Sequence, residues 1–460
     1  MATTADRIDA HAGDATDHES RRQRLRTIIA ASAGNFAEWY DWGVYGVVAT
    51  ILASQFFPAG NDALALVSVY GLFAISYLSR PFGTVIFGHI ADSLGRKRAL
   101  SATIVITCGA TALIAFIPTY ETIGVAAPLL LLVLRLIQSL GTGGEYSTAI
   151  SFVYEHAAPG HKARSVGVLT SMTFVGFLVG SLLATGLSAV LPEDAWTSWG
   201  WRLLFLLSLP MGLVGMYLRR RTSEGEEFQQ LQQVQEEKRS MRKSPVWEAL
   251  RTSWRKILVF MAFLGTWAII SATLTSYLAT FLKQNDALSS TQAYGANTVA
   301  SAMVVVFVLL ASPLADRIGL RRMTIVGSLS VAVLVVPGFL LASSGVTGAY
   351  AGAALLGAIK GVMAVPSLLA VSQIFPAGIR VTAGGLSYNL AQSILGGTAP
   401  LVAVGLNTLF DSSLVFSSYL VLAALVTLVV ILVVGRQWVS DSAGHSGDVG
   451  ATDRQQEEVR

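Results

Sequence analysis

The sequence predicts an all-α membrane protein of twelve transmembrane helices, arranged as two six-helix bundles related by an internal repeat. Only 13% of its 460 residues are charged, which is about half the fraction found in soluble proteins, and the mean hydropathy is +0.58. Long stretches contain no Asp, Glu, Lys or Arg, and a spanning helix needs about 20 predominantly apolar residues. A soluble fold is therefore excluded.

The apolar stretches add up to twelve spans. The uncharged ones are Ala99–Ile117, Ser165–Leu191, Ile257–Leu282, Ala287–Leu314, Val381–Phe410 and Ser412–Gly435. Those with one to three ionisable residues are Thr27–Ala53, Leu64–Phe87, Ala126–Tyr154, Trp199–Leu218 and Thr347–Phe375. The uncharged run Met323–Ile359 is too long for a single helix. We expect it to break at Ser343-Ser344-Gly345.

The charged stretch Arg219–Lys256 divides the chain into two halves. We predict an N-terminal tail (1–26), a first bundle (27–218), a central loop (219–256), a second bundle (257–435) and a C-terminal tail (436–460). Most of the 32 Lys and Arg residues fall on the tails and alternate loops, so the positive-inside rule predicts that both termini are cytoplasmic. The polar first 26 residues show no cleaved signal peptide, and the first span is expected to serve for targeting.

Two loops repeat the same pattern after the second and the eighth spans. Asp92 and Gly95 of Gly88–Arg98 correspond to Asp316 and Gly319 of Ser312–Arg322. Glycines permit a tight reversal, and an acid there can cap a helix or pair with a base. The predicted gating residues are Gly88, Asp92, Gly95, Arg96, Asp316, Gly319 and Arg321. The alternative is a positively charged loop that only sets topology.

These loops resemble the signature of the major facilitator superfamily. Further segments are similar to its metabolite:proton symporter family, which includes the 2-oxoglutarate, citrate and shikimate permeases and the proline/betaine transporter. The segments are Gly34–Asp41, Arg80–Gly83, Pro118–Gly124, Gly143–Tyr146 and Trp199–Arg202. The resemblance covers about Arg24 to Gly435 and implies a major facilitator fold and proton-coupled uptake. Ser312 and Leu320 depart from the Gly and Arg expected in the second loop.

Arg135 and Lys360 are basic residues well inside apolar spans, at nearly matched positions of the repeat. A cation there persists mainly beside a partner, a water-filled cavity or a bound anion. Transporter sites lie near the midplane between repeats, so the pair predicts a substrate bearing a carboxylate. Gln138, Tyr45, Trp267 and Tyr277 complete the predicted substrate site. The alternative for Lys360 is a lysine that does not contact substrate.

Acidic residues in the spans predict proton coupling. Glu38 and Asp41 lie one turn apart on the face that also carries Tyr45. Because double ionisation is disfavoured in a low dielectric, we expect this pair to exchange a proton, with Glu145 of the fourth span as a third candidate. The alternative is a permanently ionised pair neutralised by Arg80 and Arg135. We expect contacts between Arg80 and Glu145 and between Arg135 and Asp41.

Other functions find no support in the sequence. There is no metal-ligand spacing, nucleophile elbow or nucleotide fingerprint, and the lone Cys108 excludes an intramolecular disulfide. The predicted partners are a small molecule, protons and the lipid bilayer, with no cofactor and no nucleic acid. The substrate is an organic acid such as 2-oxoglutarate or a zwitterionic osmolyte such as proline or betaine, for which the aromatic residues offer a cation–π cage. A non-transporting metabolite sensor and an efflux transporter are the alternatives.

Overall fold

The computed structural model describes residues 36, 39–80, 82–83, 86, 96–141, 145–158, 160–222, 245–284, 288–375, 384–410, 412 and 414–435. These residues are almost entirely helical and include no β-strand. The first half contains six spans, α1 to α6. Their bounds are 39–47 with Ala49–Phe56 for α1, Asp62–Leu78 for α2, Arg96–Ile114 for α3, Ala126–Gly141 with Glu145–His156 for α4, Lys162–Val190 for α5, and Arg202–Leu206 with Ser208–Thr222 for α6.

The second half repeats this arrangement with α7 to α12. Helix α7 runs from Pro245 to Lys283, α10 is Gly345–Gln373, α11 is Gly385–Leu409 and α12 is Val415–Val433. Helices α8 and α9 are the two parts of Ser290–Ala342, which are separated at Gly319, a residue with φ of +80°. Such a φ favours glycine.

The described part therefore provides twelve spans, as predicted. Six of the described helices are each long and apolar enough to cross a membrane, and the longest of them, Ser290–Ala342, contains both α8 and α9. The break expected at Ser343-Ser344-Gly345 is present, because one helix ends at Ala342 and the next begins at Gly345. Helix α7 begins at Pro245, inside the stretch 219–256 that the sequence assigns to the central loop. The exact limits of the two bundles remain predictions.

Local sequence explains where several helices begin. The side chain of Asn61 accepts a hydrogen bond from the amide of Leu64 at the start of α2, and Ser289 with Gln292 forms a capping box at the start of α8. These bonds satisfy amides that have no partner within the helix. Many large apolar side chains remain exposed along the helices, including Phe116 and Val433. This is the pattern expected where helices face lipid tails.

Two helices of the second half contain a π-helical turn, and both turns contact α2 of the first half. In α7 the turn is Thr273–Tyr277 and in α11 it is Gln392–Gly396. The hydroxyl of Tyr70 donates to the carbonyl of Ser276 at 2.8 Å, and the hydroxyl of Ser393 donates to the carbonyl of Tyr77 at 2.9 Å. Helix α2 therefore joins the halves at two irregular points of the second bundle.

Candidate functional site

Charged side chains that the sequence singled out are buried in the first half. Asp41 of α1 and Arg135 of α4 are 0% exposed, and Arg80, two residues beyond α2, is 3% exposed. Each charge at the centre of a membrane helix costs about 2.5–3.5 kcal/mol by insertion measurements. Their neighbours must therefore compensate for lost hydration.

Asp41 and Arg135 are linked by a chain of hydrogen bonds. Nη1 of Arg135 donates to Oε1 of Gln138, and Nε2 of Gln138 donates to Oγ1 of Thr111 at 2.6 Å. The hydroxyl of Thr111 lies 2.8 Å from Oδ2 of Asp41 and also 2.8 Å from the carbonyl of Thr107. The predicted contact between Arg135 and Asp41 is thus indirect, because Gln138 and Thr111 fill the space between the two charges.

The two arginines share one aromatic neighbour. The guanidinium carbon of Arg80 lies 4.2 Å from the ring centroid of Trp42, and that of Arg135 lies 4.3 Å from it. Arg135 also lies 4.0 Å from the ring of Tyr45 and Arg80 4.1 Å from the ring of Tyr77. Cation–π contacts of this kind stabilise desolvated cations by about 2 kcal/mol. Within the described residues, Nε and Nη2 of Arg135 have no hydrogen-bond partner.

Lys360 of α10 is the buried cation of the second half, with 1% exposure. Its Nζ donates to the carbonyl of Ser271 in α7 at 3.3 Å. It also lies 4.6 Å from the ring of Phe174 and 5.8 Å from that of Phe177, both in α5 of the first half. Lys360 therefore lies at the boundary between the halves, where a ligand contacted by both would bind.

A row of aromatic rings connects Lys360 with Arg80. The rings of Phe177 and Trp39 are 5.5 Å apart, and the guanidinium of Arg80 lies 5.6 Å from the ring of Trp39. The contacts of Arg135, by contrast, are to residues of the first half. The sequence pairs Lys360 with Arg135 through the repeat, whereas the structure places Arg80 at the other end of this aromatic row.

The remaining predicted substrate residues separate into two places. Trp267 packs 6.0 Å from Phe174, close to Lys360, and its Nε1 has no hydrogen-bond partner among the described residues. Tyr277 instead receives a hydrogen bond from Asn407 and packs 6.2 Å from Tyr70. Tyr277 also lines a cavity of about 220 Å³ with Asn407, away from the aromatic row.

Several residues that sequence reasoning did not select belong to this site. Thr111, Phe174 and Phe177 stand in uncharged spans, where threonine and phenylalanine are common and give no local signal. Glu38 lies outside the described residues. Glu145 is in α4, but its side chain is outside the described part, so the Arg80–Glu145 contact remains a prediction.

The two halves contact each other at both ends of the bundle. At the end that we call the Asp316 end, Asp316 accepts hydrogen bonds from the backbone amides of Ala163 at 2.7 Å and Arg164 at 3.2 Å. At the opposite, Glu193 end, Ser290 donates to Glu193, and Nζ of Lys283 lies 3.7 Å from the same carboxylate. Polar contacts therefore join the halves at each end of the described part.

The profile of the Major Facilitator Superfamily matches residues 31–400. The chain belongs to this superfamily. It is 34% identical to the alpha-ketoglutarate permease of Escherichia coli (strain K12) over 426 residues, which are 90% of this chain and 95% of that protein. It is 33% identical to the proline/betaine transporter of the same strain, over 88% and 82% of the two chains. The proton:xylose symporter XylE, solved with 6-bromo-6-deoxy-D-glucose, has the same fold at 16% identity, with a TM-score of 0.67 over 90% and 95% of the chains.

Members of the major facilitator superfamily are transporters rather than enzymes, and they are multi-pass proteins of the cell membrane. The predicted resemblance to metabolite:proton symporters is confirmed by the two relatives. Of the first signature loop, Gly88, Asp92 and Gly95 lie outside the described residues. Arg96 begins α3, but its side chain is not in the described part.

The second signature loop of the superfamily is described in full. Gly319 makes the reversal between α8 and α9, and Asp316 caps the start of α5. Ser312, which replaces the glycine expected there, lies so close to Gly167 that a Cβ on Gly167 would meet its hydroxyl. Nε of Arg321 is buried without a hydrogen-bond partner in the described residues. The gating roles of these residues remain predictions.

Proposed function

We propose that the protein is a proton-coupled symporter that imports a small carboxylate-bearing metabolite by alternating access. The observation that supports this most directly is the setting of Lys360. Its ammonium group is buried, contacts both halves, and has a backbone carbonyl as its only hydrogen-bond acceptor among the described residues. A buried ammonium has three donors to satisfy, and a substrate carboxylate supplies both acceptors and the missing negative charge.

The first half contributes the complementary groups. Arg135 has two nitrogen atoms, Nε and Nη2, that bond nothing in the described part, and Gln138 and Tyr45 hold its guanidinium in place. We therefore keep Arg135, Lys360, Tyr45, Gln138 and Trp267 as proposed substrate residues. Tyr277 is proposed to act at the Glu193 end of the pathway instead.

Proton coupling is proposed to use Asp41, with Glu38 and Glu145 as further candidates and Arg80 as a charge partner. Asp41 is fully buried, and its Oδ1 has no hydrogen-bond partner among the described residues. A carboxylate in this position is stabilised first by the hydrogen bond from Thr111, then by the side chain of Gln138, and last by the positive charge of Arg135. Protonation removes the cost of burying the negative charge, so Asp41 suits reversible proton binding.

We propose that the substrate is an organic acid rather than an osmolyte. The rings of Trp42 and Tyr45 already contact the guanidinium groups of Arg80 and Arg135. Both rings belong to the predicted aromatic cage for a quaternary ammonium, which consists of Trp39, Tyr40, Trp42 and Tyr45 with the span-seven residues Trp267, Thr273, Ser276 and Tyr277. An additional cation there would be repelled. The relatives include both an alpha-ketoglutarate permease and a proline/betaine transporter, and zwitterionic osmolytes also have a carboxylate.

The proposed direction of transport is uptake, because symport moves the substrate with the protons and the proton gradient is directed inward; both termini and the Asp316 end are proposed to be cytoplasmic. The test is uptake of labelled 2-oxoglutarate, citrate, shikimate, proline and betaine into proteoliposomes, with and without an inward proton gradient. We expect concentrative uptake of an organic acid that a protonophore abolishes. Binding without uptake would favour a sensor, and proton-driven movement in the opposite direction would favour efflux.

A further inference from the structure

The bonds between Arg135 and Asp41 all run in one direction. Arg135 donates to Gln138, Gln138 donates to Thr111, and Thr111 donates to Asp41. Each member is 0% exposed, and the four residues come from α1, α3 and α4. The cation and the carboxylate thus lie at the two ends of a chain whose middle members are neutral.

Thr111 is the one member with a choice of acceptor. Its single hydroxyl proton has two acceptors at 2.8 Å, namely Oδ2 of Asp41 and the carbonyl of Thr107 one turn earlier in α3. A hydroxyl donates one hydrogen bond and accepts up to two. The proton can therefore move from one acceptor to the other without leaving the hydroxyl unsatisfied.

We propose that Thr111 is a positioning residue that transmits the protonation state of Asp41 to Arg135, and so couples proton binding to substrate binding. This inference rests on the proposed symport function. When Asp41 is ionised, Thr111 donates to it and the chain holds Arg135 toward the carboxylate. When Asp41 takes a proton from the aqueous phase, its new O–H donates to Oγ1 of Thr111, and the Thr111 hydroxyl turns to the carbonyl of Thr107.

This rearrangement changes what Arg135 offers to a substrate. With Asp41 neutral, Arg135 has lost the counter-charge at the far end of the chain, while its bond to Gln138 still fixes its orientation. The charge is then available for a substrate carboxylate. Because coupling between two ligands is reciprocal, a bound carboxylate must in turn favour protonation of Asp41. Substrate affinity is expected to rise as the pH falls through the titration of Asp41.

Few other ionisable groups in the described part lie near the hydrogen-bond chain from Arg135 to Asp41. Asp41 interacts electrostatically with Tyr40 of its own helix, Cys108 of α3 and Arg135 of α4. Around Arg135, the ionisable groups are Tyr45, Tyr77 and Arg80. Arg135 is the one that is also joined to Asp41 by hydrogen bonds, through Gln138 and Thr111. Gln138 and Arg135 also act on Asp41 directly, so loss of the Thr111 hydroxyl breaks the hydrogen-bonded path and leaves these direct interactions and the other groups in place.

The test compares Thr111→Val, which removes the hydroxyl at nearly constant volume, with Thr111→Ser, which keeps it. Thr324→Val is the matched control, because Thr324 is equally buried and, among the described residues, its hydroxyl bonds only the carbonyl of Leu320 in its own helix. For each variant, the Kd for 2-oxoglutarate is measured across pH in detergent, and labelled exchange and proton-driven accumulation are measured in proteoliposomes. Infrared difference spectra report the C=O band of protonated Asp41, assigned with Asp41→Asn.

We expect Thr111→Val to exchange substrate across the membrane while losing most of its proton-driven accumulation and the pH dependence of Kd. Its Asp41 band should shift, because the carboxylic acid has lost its acceptor. Thr111→Ser and Thr324→Val should resemble the wild type. Gln138→Met, which breaks the chain at another link, should reproduce the flattened pH dependence even if Thr111→Val folds poorly.

Two results separate failure of the proposed role of Thr111, which we call the Thr111 relay, from failure of the proposed transport function. If the wild type couples uptake to protons and both Thr111→Val and Gln138→Met keep the full pH dependence, the relay is wrong and the symport function stands. If the wild type shows no proton-dependent transport or binding of any of the five compounds, the proposed function itself fails, and the relay fails with it.

Discussion

The ammonium group of Lys360 lies 4.6 Å from the ring centroid of Phe174, although the two residues belong to opposite halves of the protein. A cation on an aromatic face at this boundary makes the lysine sensitive to any movement of one half against the other. It also leaves the ammonium able to bind an anion, because the ring supplies no hydrogen-bond acceptor comparable to an oxygen.

Replacing Lys360 with Ala should weaken substrate binding. A hydrogen bond to a charged group contributes about 1.5–3 kcal/mol, so the Kd for the transported acid should rise roughly 10- to 150-fold. Lys360→Arg should be milder, since it keeps the charge. Isothermal titration with the acid and with an analogue lacking the carboxylate measures both effects. An unchanged Kd in Lys360→Ala would make the lysine a bystander and would favour the osmolyte as substrate.

Arg135→Lys should be harmful even though it conserves charge. The planar guanidinium contacts the rings of Trp42 and Tyr45 and donates to Gln138, whereas an ammonium has neither the flat face nor the paired donors. Loss of one charge-assisted bond should again raise Kd roughly 10- to 150-fold. The measurement is Kd together with the thermal unfolding temperature. Wild-type affinity in a well-folded variant would show that charge alone suffices at this position.

Asp41→Asn should separate substrate exchange from proton-driven accumulation. Asparagine cannot ionise, and its amide N–H can donate to Oγ1 of Thr111 as the protonated carboxyl does, so the variant should resemble the protonated state at every pH. Labelled exchange should persist, while accumulation under an inward proton gradient should be lost. Glu38→Gln is the companion variant for the predicted pair. If both variants accumulate substrate as the wild type does, proton coupling through these acids is refuted.

Sequence reasoning found the elements of this protein more readily than the contacts between them. The sequence could predict the helix break at Ser343-Ser344-Gly345 and the interior positions of Arg135 and Lys360, because each interrupts a long apolar pattern. The link through Thr111 was not readable, since a threonine in a membrane helix costs little and has many other uses. Which arginine faces Lys360 depends on side-chain directions in three dimensions, which a repeat in the sequence does not encode.

The same distinction applies to the gating loops. The sequence marked Asp316 by its repeat of Asp92, and a capping or pairing role was expected. Its partner was not identified, because Ala163 and Arg164 contribute backbone amides, and every residue except proline has one. Backbone partners are invisible to motif reasoning, although they determine which mutations matter here.

Asp316→Ala should open the Asp316 end of the transporter more readily than Arg164→Gln. The carboxylate of Asp316 satisfies two amides at the positive end of α5, whereas its ion pair with Arg164, at 3.7 Å, involves a side chain that is 43% exposed. Exposed ion pairs contribute about 0–1 kcal/mol, while loss of a helix cap costs about 0.5–2 kcal/mol. Asp316→Asn should lie between the two, since it keeps one good acceptor.

The measurement uses a cysteine introduced at position 312 and follows its labelling by a membrane-impermeant thiol reagent. Ser312 suits this purpose because it is buried at the Asp316 end when α5 and α8 are in contact. The native Cys108 is 5% exposed, so background labelling should be low. Labelling should increase in the order Arg164→Gln, Asp316→Asn, Asp316→Ala, and transport should slow in the same order while substrate Kd changes little. Equal effects of Arg164→Gln and Asp316→Ala would show that the ion pair, and not the capping of α5, holds this end closed.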